Sequence, residues 1–200
     1  CALALPSSAW AGPVELFNSV EVASGNPDRI VARWINGDGG IFVSSDRGAS
    51  FGMSCYPAIS ADLMGRSLQS FKIATDGSQC AGTINQTFCS NADGCGWKEA
   101  TELNGQWVAD FAEDPIDKKV LYLATGTAEG ENGIYVREAP GVAWKPLGTL
   151  LPAWFSRVFV VKNGTGKRIY VSSQENMITA GVDGGPPTQE PKYFVRYSDD

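Results

Sequence analysis

The sequence predicts an all-β protein of the β-propeller class, built from four-stranded antiparallel blades. Tight polar-glycine turns recur between short apolar runs, and the aromatic residues that close them, Phe51, Trp97 and Trp144, are 46 and 47 residues apart. A further pair of strand-like runs precedes these hairpins, which gives four strands in each repeat. No segment has a sustained apolar period of 3.6 residues, so helices are expected to be minor. About four blades fit in 200 residues, and we expect a piece of a six- to eight-bladed propeller.

The first blade follows a segment that does not resemble a strand. Residues 1–11, CALALPSSAWA, contain an apolar run that Pro6 breaks, and they end in the small-x-small pattern Ala9-Trp10-Ala11. This pattern is typical of the end of a secretory signal peptide. A first β-strand and a lipid-modified Cys1 are the alternatives. We therefore predict a leader remnant at 1–11 and a protein that is secreted, periplasmic or on the cell surface. The predicted blades span residues 12–57, 58–103, 104–150 and 151–200.

The inner strands of the blades are predicted from alternating runs on either side of a turn. VEVAS and RIVARW flank residues 25–28 in the first blade. Alternation of apolar and polar residues over this length indicates half-buried strands. In the later blades, VADFA and VLYLA flank residues 114–117, and FVVK and RIYVSS flank residues 163–166.

The residues of the hairpin turn explain how the turn is stabilised. In GIFVSSDRGASF, residues 40–51, the side chains of Ser44 and Asp46 are placed to accept hydrogen bonds from backbone N–H groups of the turn. Gly48 supplies a positive φ, and Phe51 packs back on the sheet. The corresponding residues of the other copies are Asp93, Gly94 and Trp97, then Gly141 and Trp144, and finally Ser198 and Asp200, which would begin a fourth copy.

This motif resembles the Asp-box, or BNR, repeat. The first copy is a full match, the second is shifted, and the third keeps only the glycine and the tryptophan. Proteins with such repeats include sialidases, other glycosidases, sortilin-type receptors and photosystem II assembly factors. The resemblance covers nearly all of the chain after residue 11. It implies that the boxes are structural, because they join the third and fourth strands of a blade.

Four cysteines follow the predicted leader. An even count in an exported protein favours disulfides. Cys80 and Cys89 can face each other on adjacent antiparallel strands, whereas Cys89 and Cys95 can close a single hairpin. Cys55 is the fourth, and the spacing does not choose among the pairings. No C-x-x-C pattern is present, so a zinc or redox motif is not predicted.

Composition excludes several classes of function. The chain has 16 Lys and Arg against 22 Asp and Glu, so nucleic-acid binding is not expected. It has no histidine, which removes Ser-His-Asp and Cys-His nucleophile systems and His-ligated zinc. No uninterrupted apolar run reaches the length of about 18 residues that a membrane-spanning helix needs. We predict no cofactor and no metal site, since residues 129–132 lack the ligand spacing of an EF-hand loop.

Blade topology sorts the loops onto two ends of each sheet. Turns between strands one and two and between strands three and four share one end, which we call the turn end. Loops between strands two and three and the connections between blades lie at the opposite end, which we call the loop end. In similar propellers the ligand usually binds at the loop end. The turn end collects Lys and Arg, whereas the loop end collects acidic residues and a long loop at about 174–192. The candidate binding residues there are Asp38, Tyr56, Glu129, Glu131, Trp154 and Asp183.

No catalytic constellation is recognisable, so the sequence favours a non-catalytic binding or assembly module that engages a protein or a surface glycan. The alternative is a glycoside hydrolase whose catalytic residues lie partly outside these 200 residues. Such enzymes need paired carboxylates, or a tyrosine nucleophile in sialidases. The sialidase Arg-Ile-Pro motif is not matched, because Arg29-Ile30 is followed by Val31. The sequence does not predict an oligomeric state.

Overall fold

Nearly all of the regular structure is β-strand. A computed structural model describes residues 17–34, 40–53, 68–90, 94, 96–128, 130–179 and 188–199. These residues hold fifteen strands and one short 3₁₀ turn, at Thr101–Leu103. The all-β prediction is therefore confirmed. Contacts divide the chain into a first unit, Cys1–Asn104, and a second unit, Gly105–Asp200, and each unit contains two antiparallel sheets whose strands pair in chain order. Sheets of this kind are the blades of a β-propeller, the fold class that the sequence predicts.

The first unit contains two four-stranded sheets with a shared core. The first sheet consists of β1 (Phe17–Ala23), β2 (Asn26–Trp34), β3 (Gly40–Ser44) and β4 (Gly52–Met53). The second consists of β5 (Ser70–Ile73), β6 (Gln79–Gly82), β7 (Thr87–Ser90) and β8 (Lys98–Glu99). Alternate side chains of a strand point to opposite faces, so each strand contributes every second residue to one core. The buried side chains between the two sheets include Val31, Ile41, Ile73, Ala81 and Phe88.

The second unit contains one four-stranded and one three-stranded sheet. The four-stranded sheet consists of β9 (Val108–Glu113), β10 (Leu121–Thr125), β11 (Asn132–Arg137) and β12 (Lys145–Leu151). The three-stranded sheet consists of β13 (Trp154–Asn163), β14 (Gly166–Thr179) and β15 (Thr188–Asp199). The core between these sheets includes Tyr122, Ala124, Phe155, Val158 and Ile169.

An acidic residue of the first strand ties neighbouring sheets together in each unit. Glu21 of β1 accepts the N–H of Ile73 on β5 at 3.2 Å and binds the ammonium of the neighbouring lysine. Asp110 of β9 accepts the N–H of Val158 on β13 at 3.1 Å, and the guanidinium of the preceding arginine lies 3.8 Å away. The same contact therefore recurs in both units. A carboxylate that accepts a backbone N–H must stay within hydrogen-bond distance of it. The contact therefore fixes the position of one first strand along the length of the next.

One of the predicted cysteine pairings is present. Cys80 of β6 lies directly opposite Cys89 of β7, with 4.1 Å between their Cα atoms, and the two form a disulfide. The pairing on adjacent antiparallel strands is thus confirmed. Cys55 and Cys95 lie outside the described residues.

The predicted long loop at 174–192 is wrong. Residues 174–179 of β14 pair with residues 188–193 of β15 without a register shift. Because β13 begins opposite Gln174, the pairs from Glu175 onward extend as a two-stranded ribbon beyond the sheet. The sequence does not indicate these strands, because their residues do not alternate between apolar and polar and Pro191 is a strand breaker. Proline is tolerated there because an edge strand does not need its N–H for the ladder.

Other predictions fall on residues for which no structure is described. Residues 1–11 are among them, so the leader stays a prediction, as do the four blade boundaries. Within the described residues, no helix has the length and apolar character to cross a membrane.

Candidate functional site

The turn between β3 and β4, residues 44–51, is tied by its own side chains. Ser44 accepts the N–H of Gly48 at 2.8 Å and donates its hydroxyl hydrogen to Asp46 at 2.7 Å. The Asp46 carboxylate accepts the N–H and the hydroxyl of Ser50 at 2.9 and 2.6 Å. The Ser50 hydroxyl bond is the largest of the effects that lower the pKa of Asp46 to about 2. Gly48 has a φ of 86°, so the hydrogen bonds and the positive φ predicted for this turn are both present.

The other two copies of the turn also contain a glycine with positive φ and a tryptophan. Trp97 donates its indole N–H to the carbonyl of Gly94 at 2.9 Å, and Gly94 has a φ of 69°. Trp144 is buried, and Gly141 has a φ of 79°. Ser198 is exposed on β15. Asp93 and Asp200 lie outside the described residues.

Basic residues at the turn end are paired with acidic residues of the same end. The turn end therefore carries less net positive charge than its Lys and Arg residues alone indicate. In a pair, the carboxylate neutralises the field of the cation, and the exposed pairs contribute little to stability. The pairs are Arg47 with Asp28 at 2.5 Å, Lys118 with Glu113 at 3.5 Å, Lys167 with Asp114 at 3.0 Å, and Arg168 with Asp199 at 2.5 Å.

The most buried of these acids, Asp114, is enclosed by donors. Its carboxylate accepts the N–H of Ile116 at 2.7 Å, the Tyr122 hydroxyl at 3.1 Å and the Lys167 ammonium at 3.0 Å. Burial opposes its ionisation, but the backbone bond from Ile116 and the ion pair with Lys167 outweigh burial and lower the pKa of Asp114. Tyr122 is also buried, so this cluster locks the two sheets of the second unit rather than facing a ligand.

The loop end of the second unit carries an aromatic pair, of which one ring is exposed and the other half-buried. Trp154 is the first residue of β13 and is 36% exposed. Its ring lies edge-on to that of Trp107, with 5.2 Å between the centroids and 65° between the planes. Gly126 makes this position possible, because a Cβ there would lie 2.5 Å from two atoms of the Trp154 ring and 2.6 Å from the carbonyl oxygen of Phe155.

The loop that follows β10 is held against this pair. The N–H of Gly126 donates to the carbonyl of Trp107 at 2.8 Å, and the N–H of Trp107 donates to the Thr127 hydroxyl oxygen at 3.0 Å. The Asn132 side chain bonds both the N–H and the carbonyl of Thr127, at 2.7 and 2.8 Å. The Thr127 hydroxyl donates in turn to the amide oxygen of Gln106 at 3.2 Å. Hydrogen bonds within the chain therefore hold Thr127 and Asn132, at the two ends of this loop, without a ligand.

We call the residues Gln106, Trp107, Thr127, Glu131 and Trp154 the aromatic site. The partly exposed ring of Trp154 offers apolar surface, and the Gln106 amide is bonded to Thr127 next to Trp107. Glu131 is exposed and lies in the same loop, between Thr127 and Asn132. The indole nitrogen of Trp107 is buried and has no hydrogen-bond partner among the described residues. The described part of the chain contains no group of three or more Cys, Asp or Glu side chains suited to a metal ion.

The structure describes two of the six candidate binding residues. Trp154 and Glu131 lie at the loop end of the second unit, whereas Phe155, the neighbour of Trp154, is buried in the core. Trp107 was not among the predicted binding residues. The repeat spacing indicates it, because Trp107 precedes Trp154 by 47 residues, the same spacing that separates Trp97 from Trp144. The candidates outside the described residues are Asp38, Tyr56, Glu129 and Asp183.

A second concavity lies between the two sheets of the second unit. Its volume is about 330 Å³, and its lining includes the aliphatic residues Ile134, Leu147 and Val171. Arg196 is its one charged lining residue among the described residues, and the guanidinium binds Glu175. Because that ion pair neutralises the charge, the aromatic site is the stronger candidate.

Comparison with known proteins shows the fold and not the family. No family model matches the chain, and no curated protein matches its sequence. The GH74 enzyme of Niastella koreensis is similar in structure, with a TM-score of 0.59 and 15% identity over 92% of this chain and 30% of that one. YCF48 bound to D1 peptide, at 13% identity, matches 80% of this chain and 48% of that one with a TM-score of 0.48. The exo-β-1,3-galactanase 1,3Gal43A of Clostridium thermocellum, also at 13%, matches 88% and 44% with a TM-score of 0.48. The chain thus spans less than half of each of these β-propeller proteins.

Proposed function

We propose that this chain is an exported, non-catalytic binding module that holds a surface glycan at the aromatic site. The observation that carries the proposal is the exposed ring of Trp154, which is fixed by Trp107 and Gly126. One face of a pyranose ring presents C–H groups that pack on an indole. Its hydroxyl groups then bond to polar side chains at the edge, a role that suits Gln106 and Glu131.

Preorganisation is what makes this surface suitable for binding. Binding costs free energy for every side chain and loop that it must order. Here the loop of Thr127 and Asn132 is already closed by hydrogen bonds, and Trp154 rests on backbone. A protein partner is the other class of ligand for the same surface. The disulfide between Cys80 and Cys89 fits an oxidising compartment outside the cytoplasm.

The test is binding to a panel of neutral and acidic glycans, followed by titration calorimetry with the tightest ligand. Trp154→Ala removes the stacking surface, and we expect a loss of affinity of at least about tenfold, or about 1.4 kcal/mol. Phe159→Ala is the matched control, because Phe159 is an exposed aromatic residue on the same strand, about 17 Å away along it. Unchanged affinity in the Trp154 variant, with every glycan that binds, overturns the proposal.

The alternative activity, glycoside hydrolysis, is tested on the same glycans. Hydrolysis needs two carboxyl groups flanking the scissile bond. Glu131 is the carboxylate of the aromatic site, so it is the residue to remove. New reducing ends that disappear in Glu131→Gln, while binding is retained, favour a hydrolase. Binding without new reducing ends supports the binding module.

A further inference from the structure

Two Asn-x-Thr triplets lie at turns between strands, at residues 85–87 and 163–165. The sequence contains no other asparagine that is followed two residues later by serine or threonine. This triplet, with any residue but proline in the middle, is the acceptor pattern for N-linked glycans, which exported proteins carry on surface loops. Each triplet is therefore a candidate modification site, and the structure distinguishes the two.

The second triplet forms the tip of the hairpin between β13 and β14. Asn163 pairs with Gly166, so Gly164 and Thr165 make a two-residue turn, in which Gly164 has a φ of 61°. Asn163, Gly164 and Thr165 are all exposed, and a Cβ at Gly164 would meet no atom of the described chain within 4 Å. A bulky group attached at this tip therefore has room.

The side chain of Asn163 makes a hydrogen bond that modification does not have to break. Its Nδ2 atom donates to a carboxylate oxygen of Asp199 at 3.1 Å. An asparagine amide carries two hydrogens, and attachment of a glycan to the nitrogen replaces one of them. The remaining hydrogen can still be donated to Asp199.

The first triplet differs from the second at its threonine. Asn85 is exposed in the turn between β6 and β7, where its backbone N–H donates to the hydroxyl oxygen of Thr83 at 3.3 Å. Thr87 is the first residue of β7, pairs with Gly82 and is 0% exposed. An enzyme that recognises the triplet has to reach the threonine as well as the asparagine. In the folded chain it can reach Thr165 but not Thr87.

We propose that Asn163 accepts an N-linked glycan in the folded chain, and that Asn85 does not. The reaction forms a bond between Nδ2 of Asn163 and the anomeric carbon of the first sugar. It breaks the bond between that carbon and the diphosphate of a lipid-linked oligosaccharide, and the departing diphosphate takes up the proton that Nδ2 loses. The donor and its oligosaccharyltransferase belong to the secretory route, which also fits the disulfide between Cys80 and Cys89.

A glycan at Asn163 leaves the aromatic site uncovered. Trp154 is the first residue of β13 and Asn163 is the last, so the two lie at opposite ends of the strand, about 30 Å apart. The modification therefore shares with the proposed function only the export of the chain. A failure of glycan binding at Trp154 does not affect it.

Transfer of a glycan to the folded full chain in vitro tests the proposal. The chain, with its disulfide intact, is incubated with a lipid-linked oligosaccharide and a single-subunit oligosaccharyltransferase that requires only the triplet. Mass spectrometry of the intact chain and of its glycopeptides is expected to show one glycan, at Asn163. Thr165→Ala should lower the yield by at least about tenfold, whereas the conservative variant Thr165→Ser should retain transfer. Asn85→Gln is the matched control and should leave the yield unchanged.

Unfolding of the chain tests the contrast between the two triplets. Reduction and denaturation release Thr87 from β7, so we expect the unfolded chain to accept a second glycan, at Asn85. A folded chain that stays unmodified at Asn163 overturns the proposal. Equal transfer to Asn85 and Asn163 in the folded chain also contradicts it, because burial of Thr87 would then not protect Asn85.

Discussion

Two turns at the same place in their sheets are stabilised by different physics. The first turn, residues 44–51, joins β3 to β4, and the third turn, residues 137–144, joins β11 to β12. Both contain a glycine with positive φ, Gly48 and Gly141. The first is tied by hydrogen bonds to the exposed Asp46, and its aromatic residue Phe51 is 38% exposed. The third lacks that carboxylate, and its aromatic residue Trp144 is 4% exposed.

The third turn has different residues from the first at two positions, and one of them contacts its tryptophan. Arg137 occupies the position of Ser44, and Ala139 occupies that of Asp46. The buried guanidinium of Arg137 lies 5.5 Å from the centroid of the Trp144 ring, and that ring lies 6.1 Å from Phe111. Burial of Trp144 thus compensates for the carboxylate hydrogen bonds that Asp46 makes in the first turn. The two turns share a glycine with positive φ, and different side chains stabilise them.

Replacement of Trp144 gives the largest expected effect. Trp144→Ala empties a buried site and leaves Arg137 without its ring, so the free energy of unfolding should fall by about 3–5 kcal/mol. Phe51→Ala is the matched change in the first turn, and we expect it to cost about 1 kcal/mol or less because that ring is already partly in water. Urea unfolding followed by circular dichroism measures both. Equal losses for the two variants contradict the contrast between the turns.

Alanine at either glycine should cost the same amount. Gly48 and Gly141 have φ values of 86° and 79°, where a side chain strains the backbone by about 1–2 kcal/mol. A Cβ at Gly141 meets no atom within 4 Å, and a Cβ at Gly48 meets Ile30 and Phe51 only at ordinary contact distances. Backbone strain therefore accounts for the whole expected loss of stability. The same unfolding measurement applies to Gly48→Ala and Gly141→Ala.

Asparagine variants serve as the control for the glycine prediction. Asparagine adopts positive φ more readily than alanine, so Gly48→Asn and Gly141→Asn should lose less stability than the alanine variants. A Gly141→Ala variant as stable as the wild type would show that the third turn does not depend on this backbone.

The fold could be predicted because its signals are local. Alternation in VEVAS and RIVARW marks β1 and β2, and the spacing of Phe51, Trp97 and Trp144 marks the repeat. The outer half of the hairpin of β14 and β15 was not predicted, because its residues are mostly polar and do not alternate with apolar ones. A residue pattern does not show whether polar residues pair in a ribbon or form a loop, since neither case buries a core face.

The candidate site was predicted only in part because it depends on contacts distant in sequence. Trp154 was a candidate, but its exposure depends on Gly126, where any larger residue would displace the ring. Trp107 was missed although the repeat spacing points to it. The charge pattern of the turn end was misread for a related reason. Arg168 pairs with Asp199, which is 31 residues away in sequence, and a count of cations does not contain that pairing.

Acid should weaken the first turn through Asp46, and this is the smallest expected effect because the carboxylate is exposed. The pKa of Asp46 is lowered from 3.8 to about 2 in the folded chain, chiefly by the Ser50 hydroxyl. A lowered pKa means that the stabilisation is complete above the ordinary value and is lost as the pH falls toward 2. Asp46→Asn should therefore flatten the fall in the free energy of unfolding across that window, and Ser50→Ala should flatten it less. Urea unfolding at several pH values measures the slope. If the free energy of unfolding changes with pH equally in Asp46→Asn and the wild type, the Asp46 carboxylate does not stabilise the turn. The positive φ of Gly48, which the third turn shares at Gly141, would then be the feature that matters.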